Sequence, residues 1–227
     1  MTHEPRDVLV TGATGYIGRQ LIPTLVARGH RVRALTRASS ASHVPAGATA
    51  VIGDALNVDS IANALRANDT VVHLVGTPHP NPSKAKEFER VDLGSALAMA
   101  SAAQRIGVRQ VVYVSVAHPA PTMHAYIAAR VAGEAALREA GVSATFVRPW
   151  YVLGPGHRWP IVLTPLYALG RLIPTWRDGA QRLGLVTLSQ MVTALVAAVE
   201  TERGKGEVVL VDVPGILAAR LGAVGVT

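Results

Sequence analysis

Apolar positions along the 227-residue chain change period repeatedly. Short runs without polar interruption alternate with stretches in which apolar residues return every three or four positions. Val8-Leu9-Val10 is the first run, inside Asp7–Thr11 and followed by a glycine turn. Such a run, bounded by a turn, predicts a strand buried on both faces. Ile17, Leu21, Leu25 and Val26 then share helical spacing within Tyr16–Arg28, and Gly29 stands where a helix stops. The alternation continues with strands predicted over Arg31–Thr36, Thr49–Ile52, Thr70–Val75, Val111–Val114 and Ala144–Val147. Helices are predicted over Asp59–Ala67, Lys84–Ile106 and Met123–Ala140, with Gly107 and Gly141 closing the last two. Strands this apolar, separated by helices, predict an α/β fold: a doubly wound parallel sheet with right-handed crossovers. Further along, Trp159–Ile173 is apolar but broken by prolines, Leu188–Glu200 has helical spacing, and Glu207–Val213 alternates like a strand.

Composition narrows this picture. With 49% hydrophobic and 16% charged residues, disorder is excluded as the main state. Aromatics make up only 4%, so the core is aliphatic. The absence of cysteine excludes disulfides, thiol nucleophiles and zinc–thiolate sites. The net charge of +7 rests almost entirely on arginine, since Lys84, Lys86 and Lys205 are the only lysines. These arginines are dispersed rather than gathered in a basic run, which argues against a nucleic-acid partner. The strand at Asp7–Thr11 leaves no room for a leader before it and no segment reads as a membrane span, so a cytoplasmic location is expected.

The first strand–helix junction carries the clearest chemistry. Thr11-Gly12-Ala13-Thr14-Gly15-Tyr16-Ile17-Gly18 has GxxGxxG spacing. Gly12 permits a tight turn, Gly15 lets backbone approach a pyrophosphate, and Gly18 allows close helix–strand packing. The N–H groups that open the helix favour a phosphate dianion. Dinucleotide binding follows as the expectation, with Gly12, Thr14, Gly15, Tyr16, Ile17 and Gly18 as contacts. Strand two ends in Thr36-Arg37-Ala38-Ser39-Ser40, with no carboxylate for a ribose 2′-hydroxyl. Arg37 suits a 2′-phosphate instead, so NADP(H) is expected over NAD(H).

The segments TGATGYIG, ALTR, GDALN, VVHLVG, YVSV and AYIAAR together resemble the short-chain dehydrogenase/reductase superfamily, over roughly residues 7–155. The resemblance is to its atypical and extended members: epimerase/dehydratase-like, NmrA-like and complex I 39-kDa-subunit-like proteins. It implies a Rossmann-type core over residues 1–155, with 156–227 as a small C-terminal substrate or lid lobe on the same domain. It also implies cofactor contacts at Asp54 and Ala55, at Leu74, Val75 and Gly76 beside His73, and at Pro149, Tyr151 and Val152 beside Trp150.

The superfamily's catalytic set is a Ser/Thr, a Tyr and a Lys four residues after the Tyr. The resemblance places these roles on Ser115, Tyr126 and Arg130. Spacing of i, i+4 sets Tyr126 and Arg130 on one helix face. Two departures stand out. Arg130 replaces the lysine and, unlike it, stays protonated. Ser115 precedes Tyr126 by a short loop; Thr122 in that loop could serve as the hydroxyl or cap the helix. His73, His79, His118 and His124 fall at the carboxyl ends of strands, where His118 or His124 could act as acid or base, but their spacing matches no metal motif. The expectation is an NADP(H)-binding oxidoreductase acting on a small carbonyl or hydroxyl compound. A non-catalytic NAD(P)H sensor or partner-binding protein is the alternative, and an epimerase/dehydratase a further one. The sequence leaves open a homo-oligomer or a protein partner.

Overall fold

A computed structural model of the chain describes residues 4–155 and 183–222. The first half of the sheet contains β1 (Asp7–Thr11), β2 (Arg31–Thr36), β3 (Thr49–Ile52) and β4 (Thr70–His73). β5 (Gln110–Val114), β6 (Ala144–Val147) and β9 (Val208–Val211) complete it. A separate parallel pair is formed by β7 (Tyr151–Leu153) and β8 (Leu185–Thr187). Among the described residues the main sheet has seven strands in the order β3-β2-β1-β4-β5-β6-β9, all parallel. The order reverses between β1 and β4, which is where open α/β sheets place their ligands.

Alternate residues of each apolar strand enter different cores. Val8, Val10, Val72 and Val112 face α1 (Gly18–Ala27) and the C-terminal helices. Leu9, Val71, Val111 and Tyr113 face the layer of α2 (Val58–Ala64), α4 (Gly94–Ile106) and α5 (His124–Glu139). Burial on both faces is why these strands read as continuous apolar runs rather than alternating ones. Before α4, the chain passes through a short α3 (Ala85–Glu87) and one π turn, Phe88–Leu93.

After residue 183, β9 joins the chain to the main sheet beside β6. α6 (Leu188–Glu200) is held at its start by a capping box, in which Thr187 and Gln190 satisfy each other's backbone N–H groups. Its Met191, Leu195 and Val199 are fully buried in the first core. At its far end, Arg6 donates to the Val199, Glu200 and Thr201 carbonyls while Arg28 and His30 meet the Glu200 carboxylate. A last short helix, α7 (Val213–Ala218), is capped by Asp212. The apolar stretch Trp159–Ile173 lies outside the described residues. No helix among the described residues is long and apolar enough to cross a membrane.

Candidate active site

The glycine turn ends β1 and opens α1. Gly12 has φ +69°, and a Cβ there would lie 2.8 Å from the Leu74 carbonyl carbon on the neighbouring β4 exit. Glycine is therefore required both for the left-handed backbone and for the close approach of two strand ends. The turn closes on itself through a 3.0 Å bond from Gly15 N–H to the Gly12 carbonyl. At Gly18 a Cβ would stand 2.5 Å from the Ala13 carbonyl oxygen. Gly18 thus lets the helix start pack on the turn's own backbone, rather than on the strand as its spacing suggests.

A cavity of about 610 Å³ opens over this turn at the carboxyl ends of β1–β4. Gly12, Thr14 and Gly15 form one wall, Arg37 and Ser40 a second, Asp54 and Ala55 a third, and Leu74, Val75 and Gly76 a fourth. Leu35, Thr36, Gly53, Leu56 and Pro78 fill the gaps between these walls. Arg90 and Val91, from the π turn, also line it. The sequence singled out neither residue, because nothing in its apolar period distinguishes a π turn from ordinary helix. Asp54 has a second role: its carboxylate accepts the Leu56 N–H at 2.9 Å, fixing the β3 exit. A glycine turn at a helix start, a cavity of this size and two lining cations fit a dinucleotide with its phosphates.

Tyr16, Ile17 and Gly18 do not line the cavity, nor do Pro149, Tyr151 and Val152. Ile17 packs on the first core. The Tyr16 hydroxyl sits where a Cβ on Gly154 would lie, at 2.1 Å, so the ring backs onto the β7 loop. Burial, with Tyr151 nearby, raises its pKa. The Pro149 carbonyl accepts the Ala117 N–H at 2.9 Å and ties that loop to the β5 exit.

The three catalytic candidates lie at the β5 exit and on α5, and none is among the residues that line the cavity. Ser115 directly follows β5, is 2% exposed, and its Oγ makes no hydrogen bond among the described residues. Tyr126 is half-buried in the first turns of α5, edge-on to Phe88 with ring centroids 5.1 Å apart. Arg130 lies one turn on, with its guanidinium 5.3 Å from the centre of the Tyr126 ring and 5.7 Å from that of Tyr113. The structure turns Arg130 inward. Its Nη1 donates to the Val114 carbonyl at 2.9 Å, and its Nη2 lies 2.7 Å from Asp92 Oδ1. Burial opposes its charge, but Tyr126, Tyr113 and Asp92 outweigh that, and its pKa is held above the ordinary arginine value.

Asp92 ties these parts together. Its second oxygen accepts the Thr77 hydroxyl at 2.6 Å and the Thr77 N–H at 3.0 Å. A Cβ on Gly76 would collide with Arg130 Nη2 at 2.1 Å, so a larger residue at the β4 exit would have to displace this ion-paired guanidinium. One carboxylate therefore joins the cavity's fourth wall to the helix that carries Tyr126. Asp92 went unremarked in the sequence because a lone Asp inside a helical pattern reads as a solvent-facing residue.

His73 is wholly buried between Thr11 Oγ1 at 2.9 Å and Ser95 Oγ at 3.1 Å. Burial, with the Arg130 charge, pushes its pKa down to about 3, so it is a neutral bridge between strand and helix. His118 is half-buried and His124 exposed. Thr122 does not cap α5: the capping position is Met123, in the left-handed region and without a side-chain bond.

A parallel sheet with a glycine turn after its first strand, and a cavity at the reversal of strand order, defines a Rossmann-type nucleotide-binding protein. The chain belongs to the NAD dependent epimerase/dehydratase family, whose model matches residues 8–211, within the extended short-chain dehydrogenase/reductase superfamily. It is 30% identical over 196 residues to a ceramide reductase of Caulobacter vibrioides, covering 86% of this chain and 61% of that protein. It is 32% identical over 114 residues to a 3-beta-hydroxysteroid dehydrogenase of Mycolicibacterium neoaurum, covering 48% of this chain and 31% of that one. The chain thus spans less than two thirds of these relatives' length. Among solved structures, a UDP-galactose 4-epimerase superposes with a TM-score of 0.69 at 22% identity, covering 90% of this chain and 76% of that one. MoeE5 in complex with UDP-glucose and NAD gives 0.66 at 24% identity, covering 92% and 79%. These likenesses establish the fold.

Proposed function

We propose that the protein is an NADP(H)-dependent oxidoreductase acting on a small carbonyl or hydroxyl compound. The observation that carries this reading is the cavity over the glycine turn, with a cation and no carboxylate at its β2 wall. Arg37 would pair with a ribose 2′-phosphate, helped by Ser40. The names of the sequence relatives, a ceramide reductase and a 3-beta-hydroxysteroid dehydrogenase, support chemistry at a carbonyl or hydroxyl carbon.

A bound nicotinamide would supply or accept the hydride. The chain's part is to bind, orient and move a proton. The Tyr126 hydroxyl would exchange that proton with the substrate oxygen, as general acid in reduction and as base in oxidation. Ser115 Oγ, buried and without a partner among the described residues, would hydrogen-bond the same oxygen. Arg130 would steady the Tyr126 ring through its guanidinium face.

The inward turn of Arg130 favours a second reading. With Asp92 and the Val114 carbonyl occupying it, the position of the family's lysine offers no ammonium to the cofactor. A protein that binds NADP(H) without turnover would have this geometry. A panel of ketones and aldehydes with NADPH separates the two readings. Turnover that falls at least about a hundredfold in Tyr126→Phe with NADPH affinity unchanged supports the enzyme. Tight NADPH binding with no oxidation across the panel supports the binding protein.

A further inference from the structure

The π turn Phe88–Leu93 lies between the β4 loop and α4. Such turns are rare and concentrate at functional sites, where the wider turn re-aims side chains. Here both ends are anchored inward. Phe88 is buried against Tyr126, and Asp92 against Arg130 and Thr77. Between the anchors, Arg90 and Val91 face the cavity. Arg90 is exposed and has no carboxylate partner among the described residues.

The charges on the cavity wall are few. Among its described lining residues, Arg37 and Arg90 are the cations and Asp54 the anion. Gly12, Ala13, Thr14 and Gly15 offer backbone dipoles but no charged side chain. A dinucleotide brings two negative charges on its diphosphate. Arg37, at the β2 exit, is placed for the ribose side, so among the described residues that line the cavity Arg90 is the side-chain cation left for the diphosphate.

We propose that Arg90 is a cofactor-binding residue that closes on the dinucleotide's diphosphate from the α4 side of the cavity. This rests on the dinucleotide reading of the cavity. The Asp92 anchor gives Arg90 its place: the ion pair holds the π turn, and the turn carries the arginine to the cavity mouth.

The test is equilibrium titration of the purified protein with NADH and NADPH, read by nicotinamide fluorescence and independent of turnover. Arg90→Met should weaken both nucleotides by the same factor, about tenfold to a hundredfold for a lost charge-assisted contact. Arg90→Lys, which keeps the point charge, should recover most of that affinity. Arg37→Ala run alongside should weaken NADPH selectively. Unchanged affinity in Arg90→Met would overturn the proposal. So would a loss confined to NADPH, which would assign Arg90 to the 2′-phosphate. Wild-type protein that bound neither nucleotide would overturn the dinucleotide reading itself, an outcome distinct from all of these.

Discussion

Arg130 and Asp92 form an ion pair sealed from solvent, with Nη2 and Oδ1 2.7 Å apart and side-chain exposures of 5% and 0%. Two charges are held in the interior because each is bonded elsewhere as well: Arg130 to the Val114 carbonyl, Asp92 to Thr77. Removing one partner leaves the other buried and unpaired, which costs about 3–5 kcal/mol in such pairs, whereas replacing both by apolar residues costs far less. Asp92→Ala should therefore be markedly less stable than the wild type in urea denaturation, and Asp92→Leu combined with Arg130→Met more stable than either single variant. Single losses that simply add would show that the pair is not coupled.

His73 gives stability a defined pH dependence. Its folded pKa, about 3, lies below the ordinary 6.5. The unfolded chain therefore takes up the proton first as pH falls. The contribution is complete above about pH 6.5 and is lost progressively between there and about 3, at up to about 1.4 kcal/mol per pH unit. His73→Gln lacks this term, so its stability gap from the wild type should be constant above pH 6.5 and narrow below it. Urea unfolding at pH 7.5, 6 and 5 measures the gap; one that stays constant over that range would count against a neutral buried His73.

The glycines of the turn should separate binding from folding. A Cβ at Gly18 would meet backbone at 2.5 Å from the Ala13 carbonyl, so Gly18→Ala must move the turn and should cost about 1–3 kcal/mol. At the exposed Gly15 the nearest atom is the Gly12 carbonyl oxygen at 3.1 Å, a contact that a small shift relieves. Gly15→Ala should keep near-wild-type thermal stability and lose NADPH affinity, because its methyl enters the cavity. Equal thermal destabilisation of the two variants would show that Gly15 serves the fold alone.

Period and punctuation carried most of the fold. Apolar runs and stop glycines located β1 and β3–β6, and alternation located β2 and β9. The glycine turn marked the cavity because its function depends on local backbone. Three features were hidden. The π turn has no distinct apolar period. Asp92 meets Arg130 across 38 positions, a pairing that only packing reveals. Several of the arginines also have a structural destination: Arg28 pairs with Glu200, Arg33 with Asp69, and Arg148 with Glu134. Each carboxylate is distant in sequence, so a dispersed basic surface was the natural reading of what are buried and half-buried ion pairs.

Arg37 escapes that accounting, and this makes it the residue on which cofactor choice should turn. It is exposed, follows β2 and lines the cavity beside Ser40. The β2 exit offers no carboxylate to a ribose 2′-hydroxyl, so NADH would gain little there, while a 2′-phosphate would gain a charge-assisted bond. Arg37→Ala should weaken NADPH by about tenfold to a hundredfold and leave NADH within about twofold. Arg37→Asp, which presents an acceptor and repels the phosphate, should reverse the preference. Competitive titration of the two reduced cofactors reads both effects. A wild type that already prefers NADH, or an Arg37→Ala variant that weakens both equally, would remove the 2′-phosphate from this wall and place Arg37 with the diphosphate instead.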